Sequence, residues 1–167
     1  MEFRTHISFG VFFALLGYLI LGPNEHVEAF DLALLTCFFS LLPNIDWYIF
    51  KMKRTWATHS LFFPAAIFLL MSLPTFIYGE STGYLHVIMG YHGATFAALG
   101  VLSHIFADSF TTTGVPLLYP IIGRRHVLFP YLGPRLRFPD DYKGNYVQIS
   151  SIVALIVLLV LDYLLKQ

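Results

Sequence analysis

Long apolar runs along this chain alternate with short polar breaks marked by proline, glycine and asparagine, and that rhythm predicts five helices. They cover residues 7–21, 29–42, 59–78, 84–110 and 147–165. A bilayer is crossed by about 20 apolar residues, with about 17 tolerated, so the first two runs are short for spans. Pro43 and Asn44 form a stop signal after the second. Pro64 and Pro74 fall inside the third, where proline kinks a helix unless neighbours satisfy the freed carbonyls. The fourth carries Gly90, Gly93, Ala94, Ala97, Ala98 and Gly100, a set of small residues that lets another helix approach closely. It is expected at the centre of the bundle, with the Val/Ile/Leu-rich fifth helix facing lipid.

Composition selects the solvent. Of 167 residues, 57% are hydrophobic and 12% charged, about half the roughly 25% charged content of a soluble domain. The chain cannot cover a water-facing surface, and an all-α polytopic membrane bundle, one domain over residues 1–167, is the expectation. A formal net charge of zero argues against a nucleic-acid partner and leaves membrane lipids as the expected neighbours. Cys37 stands alone, so no intrachain disulfide forms. Residues 22–24 after the first run lack a small-residue cleavage site, so that run reads as a retained helix.

Basic residues set the orientation. Arg4 precedes the first helix, Lys51, Lys53 and Arg54 lie between the second and third, and Arg124, Arg125, Arg135, Arg137 and Lys143 lie between the fourth and fifth. With five spans these share one side, while Glu25, Glu28 and Glu80 lie on the other. The expected placement is a multi-pass protein of the plasma or inner membrane with a cytoplasmic N-terminus. The long connection over residues 111–146, rich in proline and aromatic residues, reads as a folded flap at headgroup level.

On that topology the metal-ligand residue types converge. His104 and Asp108 stand four apart and share a helix face. His6 opens the first helix, Asp46 follows the second, and Thr58, His59 and Ser60 open the third, all on the predicted cytoplasmic side. Ionisable groups at membrane-helix ends are costly when unpaired, and three histidines with two aspartates supply nitrogen and oxygen ligands for one or two divalent ions of zinc type. His26, His86 and His92 lie at other depths and are read as structural or solvent-facing, and His126 as a headgroup contact.

The segments LLPNID (residues 41–46), ATHS (57–60), and SHIFAD with TTTGVPLLYP (103–120), with Thr5-His6 and KGN at 143–145, resemble the YdjM-type membrane-bound metal-dependent hydrolases. The resemblance implies His6, Asp46, His59, His104 and Asp108 as metal ligands. The chain departs from that pattern at Asn44, where the family commonly has Asp, at Arg54, where it has a first His, and at Trp47.

The expected activity is metal-assisted hydrolysis at the cytoplasmic interface, since a zinc-like ion lowers the pKa of its bound water to about 7. His59, His104 and Asp108 are expected to hold the ion, with His6 and Asp46 completing it or holding a second. Asp46 or Asp108 is the alternative general base, and His59 is counted with them as catalytic. Asn44, Thr58, Ser60, Thr111 and Thr112 are expected to orient ligands from behind, although Thr58 or Ser60 taken singly reads as a helix cap. Arg54, Arg124 and Arg125 are the expected substrate contacts, because guanidinium suits phosphate, which favours a phosphoester or lipid headgroup over an amide or acyl ester. Two other classes compete: a metal or proton transporter built on the same cluster, and a non-catalytic membrane scaffold.

Overall fold

The computed structural model describes residues 3–22, 29–51, 54–79, 88–110, 114–121 and 143–165, with the side chains of residues 50 and 143–148 left aside. Among these the chain is all-α. Its helices are α1 (Phe3–Leu21), α2 (Ala29–Leu41), α3 (Ile45–Phe50), α4 (Trp56–His59), α5 (Phe62–Tyr78), α6 (Tyr91–Ser109) and α7 (Lys143–Leu165), with a 3-10 turn, Leu42–Asn44, joining α2 to α3.

The boundaries differ from the apolar runs where polar residues find a buried use. α1 starts a turn before residue 7, because Thr5 and His6 are buried on it and Ser8 Oγ donates to the Arg4 carbonyl at 3.0 Å. The α-helical part of the second run ends at Leu41, just before Pro43, but the chain does not leave the helical path there. Pro43 sits at the start of the 3-10 turn, where a missing N–H removes no helical bond, and the chain passes on into α3. The apolar stretch Ala29–Ile49 thereby reaches 21 residues, and it joins Phe3–Leu21, 19 residues, as the described helices long and apolar enough to cross a membrane. His59 closes the short α4; Ser60 is extended (φ −104°, ψ 164°) and α5 starts afresh at Phe62. Pro64 therefore falls in a first turn, whose N–H groups have no helical acceptor, and only Pro74 lies inside α5. α7 begins at Lys143 and not at residue 147.

α6 packs against α1, α2 and α5 and occupies the centre. Its small residues make this possible. A Cβ on Gly100 would run into the Thr36 carbonyl oxygen and lie 2.9 Å from Phe39 Cβ; backbone cannot yield as a flexible side chain can. Gly17 on α1 likewise faces Leu99 and Phe96, and Gly10 faces Ser40 and the Cys37 backbone. In lipid, such close approach gives the dispersion contacts that hold helices together. The contacts also fix direction: α1 runs antiparallel to α2 and α6, and α2 runs parallel to α6.

α7 lies parallel to α1. Ser151 Oγ donates to Ser8 Oγ at 3.3 Å, and Tyr18 Oη donates to Asp162 Oδ1 at 2.7 Å. The expectation of a wholly lipid-facing last helix is corrected here: Ser151, Ala154 and Leu158 form a buried stripe, while Ile152, Val153, Ile156, Val157 and Val160 face outward. Many other large apolar side chains are exposed, Leu69, Leu70, Phe76 and Ile20 among them, while the interior holds Ser8, Thr36, Ser40, Ser72 and Ser103. Several of these hydroxyls bond carbonyls of their own helix, Thr36 to Leu32 at 2.8 Å and Ser103 to Gly100 at 2.7 Å, which satisfies them without water.

Candidate metal centre

The polar interior thickens at one end of the bundle. α1 delivers His6 there, α6 delivers His104 and Asp108, and the α3–α4 segment delivers Asp46, Arg54, Thr58 and His59. Asp108 is the hub. The Nε2 atoms of His6, His59 and His104 stand 3.7, 3.6 and 3.8 Å from its carboxylate oxygens, His6 towards Oδ1 and the other two towards Oδ2. These separations exceed a hydrogen bond. They sit near the roughly 3.3–3.4 Å expected between two ligands that each lie about 2.0–2.1 Å from a tetrahedral zinc ion.

Two of the three imidazoles are oriented from their other side. His104 Nδ1 lies 2.7 Å from the Ser40 carbonyl oxygen. A carbonyl only accepts, so Nδ1 carries the proton and the neutral ring presents the lone pair of Nε2, buried and without a hydrogen-bond partner among the described residues. Thr58 Oγ1 donates to Asp46 Oδ2 and stands 2.9 Å from His59 Nδ1. Its one proton is committed to the carboxylate, so it accepts from Nδ1–H, and His59 Nε2 faces Asp108 with a lone pair. Asp46 Oδ2 also accepts the Thr55 N–H at 2.7 Å and lies 3.3 Å from His59 Nδ1. A carboxylate behind a metal-facing histidine is the usual way such a ligand is held. The rings of His6 and His104 stack, centroids 3.8 Å apart and 11° from parallel.

Side chains from α1, α6 and the α3–α4 segment thus meet at this end of the bundle. Residues 1–165 match the family described as YdjM inner membrane protein. The chain belongs to the YdjM inner membrane protein family. No curated protein and no solved structure matches it.

The donor set of this YdjM family member fits a divalent ion. The ligand atoms of His6, His104 and Asp108 lie within 4.8 Å of one another and all three residues are buried, and the orphaned His104 Nε2 points into the same space. Nitrogen and carboxylate donors suit zinc and its neighbours.

The other expected site residues fall in three places. Asp46 stands behind His59, and Thr58 links the two. Ser60 is buried with its Oγ unpartnered among the described residues. Asn44 is half-buried in the 3-10 turn, and its side chain does not cap α3. Arg54, expected at the substrate, donates from Nε to Asp108 Oδ2 at 2.7 Å. Thr111, Thr112, Arg124 and Arg125 lie outside the described residues, as do His26, His86, His126 and most of the flap. Of the flap, residues 114–121 are seen, tied to the start of α5 by Leu61 N–H to the Leu117 carbonyl at 3.0 Å and by Trp56 against Tyr119, centroids 5.0 Å apart. His92 sits near the opposite end of α6 from His104. The role of Ser40 is one that sequence reasoning missed. It acts through a backbone carbonyl, which any residue carries, so no signal in the sequence marks it.

Proposed function

We propose that this protein is a five-span, membrane-embedded, metal-dependent hydrolase with its site at the cytoplasmic interface and a phosphoester or lipid headgroup as substrate. The observation that carries the reading is the convergence of three Nε2 atoms on the Asp108 carboxylate, with the lone pairs of His59 and His104 aimed by fixed Nδ1 partners. The parallel course of α1 and α7, set by the Ser8–Ser151 and Tyr18–Asp162 contacts, agrees with first and fifth spans running the same way. The basic residues Arg4, Lys51 and Arg54 belong to the same end as the cluster, which supports a cytoplasmic placement.

In this reading His6, His59, His104 and Asp108 hold the ion. Asp46 and Thr58 keep the His59 ring turned towards it, and Ser40 does the same for His104. A bound divalent ion supplies Lewis acidity and makes water acidic enough to yield hydroxide near neutral pH. Asp108 faces all three imidazoles and is the carboxylate ligand, whereas Asp46 is a positioning residue. The Trp47, Tyr48 and Trp56 side chains are exposed beside the site; aromatic residues of this kind settle at the headgroup level of a membrane, which favours a lipid substrate.

The test is turnover of phosphodiester and phosphomonoester lipids in detergent micelles, where no gradient exists to drive transport. Release of a water-soluble headgroup or phosphate by the wild type, absent in Asp108→Ala, supports the hydrolase. Metal binding without turnover of any lipid or soluble phosphoester rejects it and leaves the transporter. The scaffold reading is favoured by one observation, the Arg54–Asp108 ion pair, which neutralises the carboxylate without metal; a purified protein free of metal supports it.

A further inference from the structure

The cluster contains a cation of its own. Arg54 adopts a left-handed backbone conformation, φ 56°, a region that residues with a Cβ seldom enter. Its side chain is 13% exposed, Nε donates to Asp108 Oδ2 at 2.7 Å, and Nη1 donates to the Gly114 carbonyl at 3.3 Å. Oδ2 is also the oxygen that the His59 and His104 Nε2 atoms approach. A guanidinium does not give up its proton at any working pH, so this charge is permanent.

Charge then limits what the site accepts. Among the described residues of the cluster, two carboxylates, Asp46 and Asp108, against one guanidinium leave a single net negative charge when the imidazoles are neutral, as ligands must be. One divalent ion turns that into one net positive charge. A second would leave three positive charges among side chains that are almost wholly buried, where repulsion is screened least. With an ion on the Asp108 carboxylate the hold on Arg54 weakens, and its planar fork of donors is free for an oxyanion beside the ion.

We infer that Arg54 stands in for a second metal ion: the site takes one divalent ion, and the guanidinium beside it receives a phosphoryl oxygen of the bound ligand. This rests on the metal-site reading above and specifies its stoichiometry and its ligand chemistry. Ion and oxyanion then bind cooperatively, since each favours the state of Asp108 and Arg54 that the other needs.

The test is calorimetric titration of the full-length, detergent-purified, metal-stripped protein with zinc, for the wild type, Arg54→Gln and Arg54→Lys. Each is titrated alone, with inorganic phosphate, and in micelles containing a phosphomonoester lipid. The wild type is expected to take one ion per chain, bound at least about fivefold more tightly with phosphate or the lipid present. Arg54→Gln, which loses the competing charge, is expected to bind zinc at least about tenfold more tightly and to lose the phosphate effect. Arg54→Lys keeps the charge and is expected to stay near the wild-type affinity. Tightening by the lipid but not by free phosphate supports the inference with a headgroup as source, and tightening by both supports it with a free oxyanion. Two ions in the wild type, no gain in Arg54→Gln, or no tightening by either oxyanion overturns it. Absence of any ion in the wild type overturns the metal-site reading itself and is distinguishable from those results. Should Arg54→Gln not fold, the wild-type stoichiometry and the oxyanion effect still decide.

Discussion

α1 carries a fully buried polar side chain at each end, and the two are treated differently. Tyr18 and His6 are each 1% exposed and twelve residues apart, about 18 Å along a helix. At the Tyr18 end the hydroxyl gives its proton to Asp162 at 2.7 Å, a completed contact that ties α1 to α7. At the His6 end, Nδ1 has no partner among the described residues and Nε2 stops 3.7 Å short of Asp108, while His104 leaves its own Nε2 bare. A buried polar group without a hydrogen bond costs stability. Two imidazole nitrogens at this end, His6 Nδ1 and His104 Nε2, buried without a partner among the described residues, suit a site for something that brings charge with it.

The comparison can be broken by exchanging what each end does. His104→Ala removes a lone pair aimed at the centre, and ion affinity should fall by more than the roughly 100-fold that losing an outer partner costs; zinc titration of the purified protein measures it, and wild-type affinity in the variant would remove His104 from the site. Thr58→Val keeps the shape of the side chain but deletes the hydroxyl between Asp46 and His59. It should weaken ion binding about 10–100-fold in the same titration while His104 and Asp108 remain in place. An unchanged affinity would mean that His59 is no ligand, or is held by other means.

Tyr18→Phe makes the opposite probe. It should leave ion binding as it is and lower stability by about 0.5–1.5 kcal/mol, the net worth of one intramolecular hydrogen bond, read as a lower unfolding temperature in detergent. A loss of metal here would show that the two ends are coupled through α1. The smallest effect is expected from Asn44→Ala. Its side chain makes no capping bond, so zinc affinity should be that of the wild type, and a clear fall would put a further ligand in the 3-10 turn.

Much of this division was legible in the sequence. The small residues of α6 announced its central place, because Gly100 against the Thr36 carbonyl requires an absent Cβ, and the spacing of His104 and Asp108 placed both on one helix face. Boundaries were harder. Pro43 reads as a stop, yet it begins a 3-10 turn through which the chain continues, and only that passage carries Asp46 onto α3. The grouping of His6, His59, His104 and Asp108 could be anticipated from topology, but not the order within it. That Asp46 stands behind His59, that Ser40 aims His104 through its carbonyl, and that Arg54 turns inward to Asp108 depend on backbone direction. Residue types and spacing do not encode it.

The central claim is that this end of the bundle is built around an ion held on Asp108. Elemental analysis of the purified wild type beside Asp108→Ala, with helix content followed by circular dichroism, tests it most directly. The account predicts one divalent ion per chain in the wild type and none in the variant at equal helicity. Equal metal in both proteins, or none in either, would contradict it.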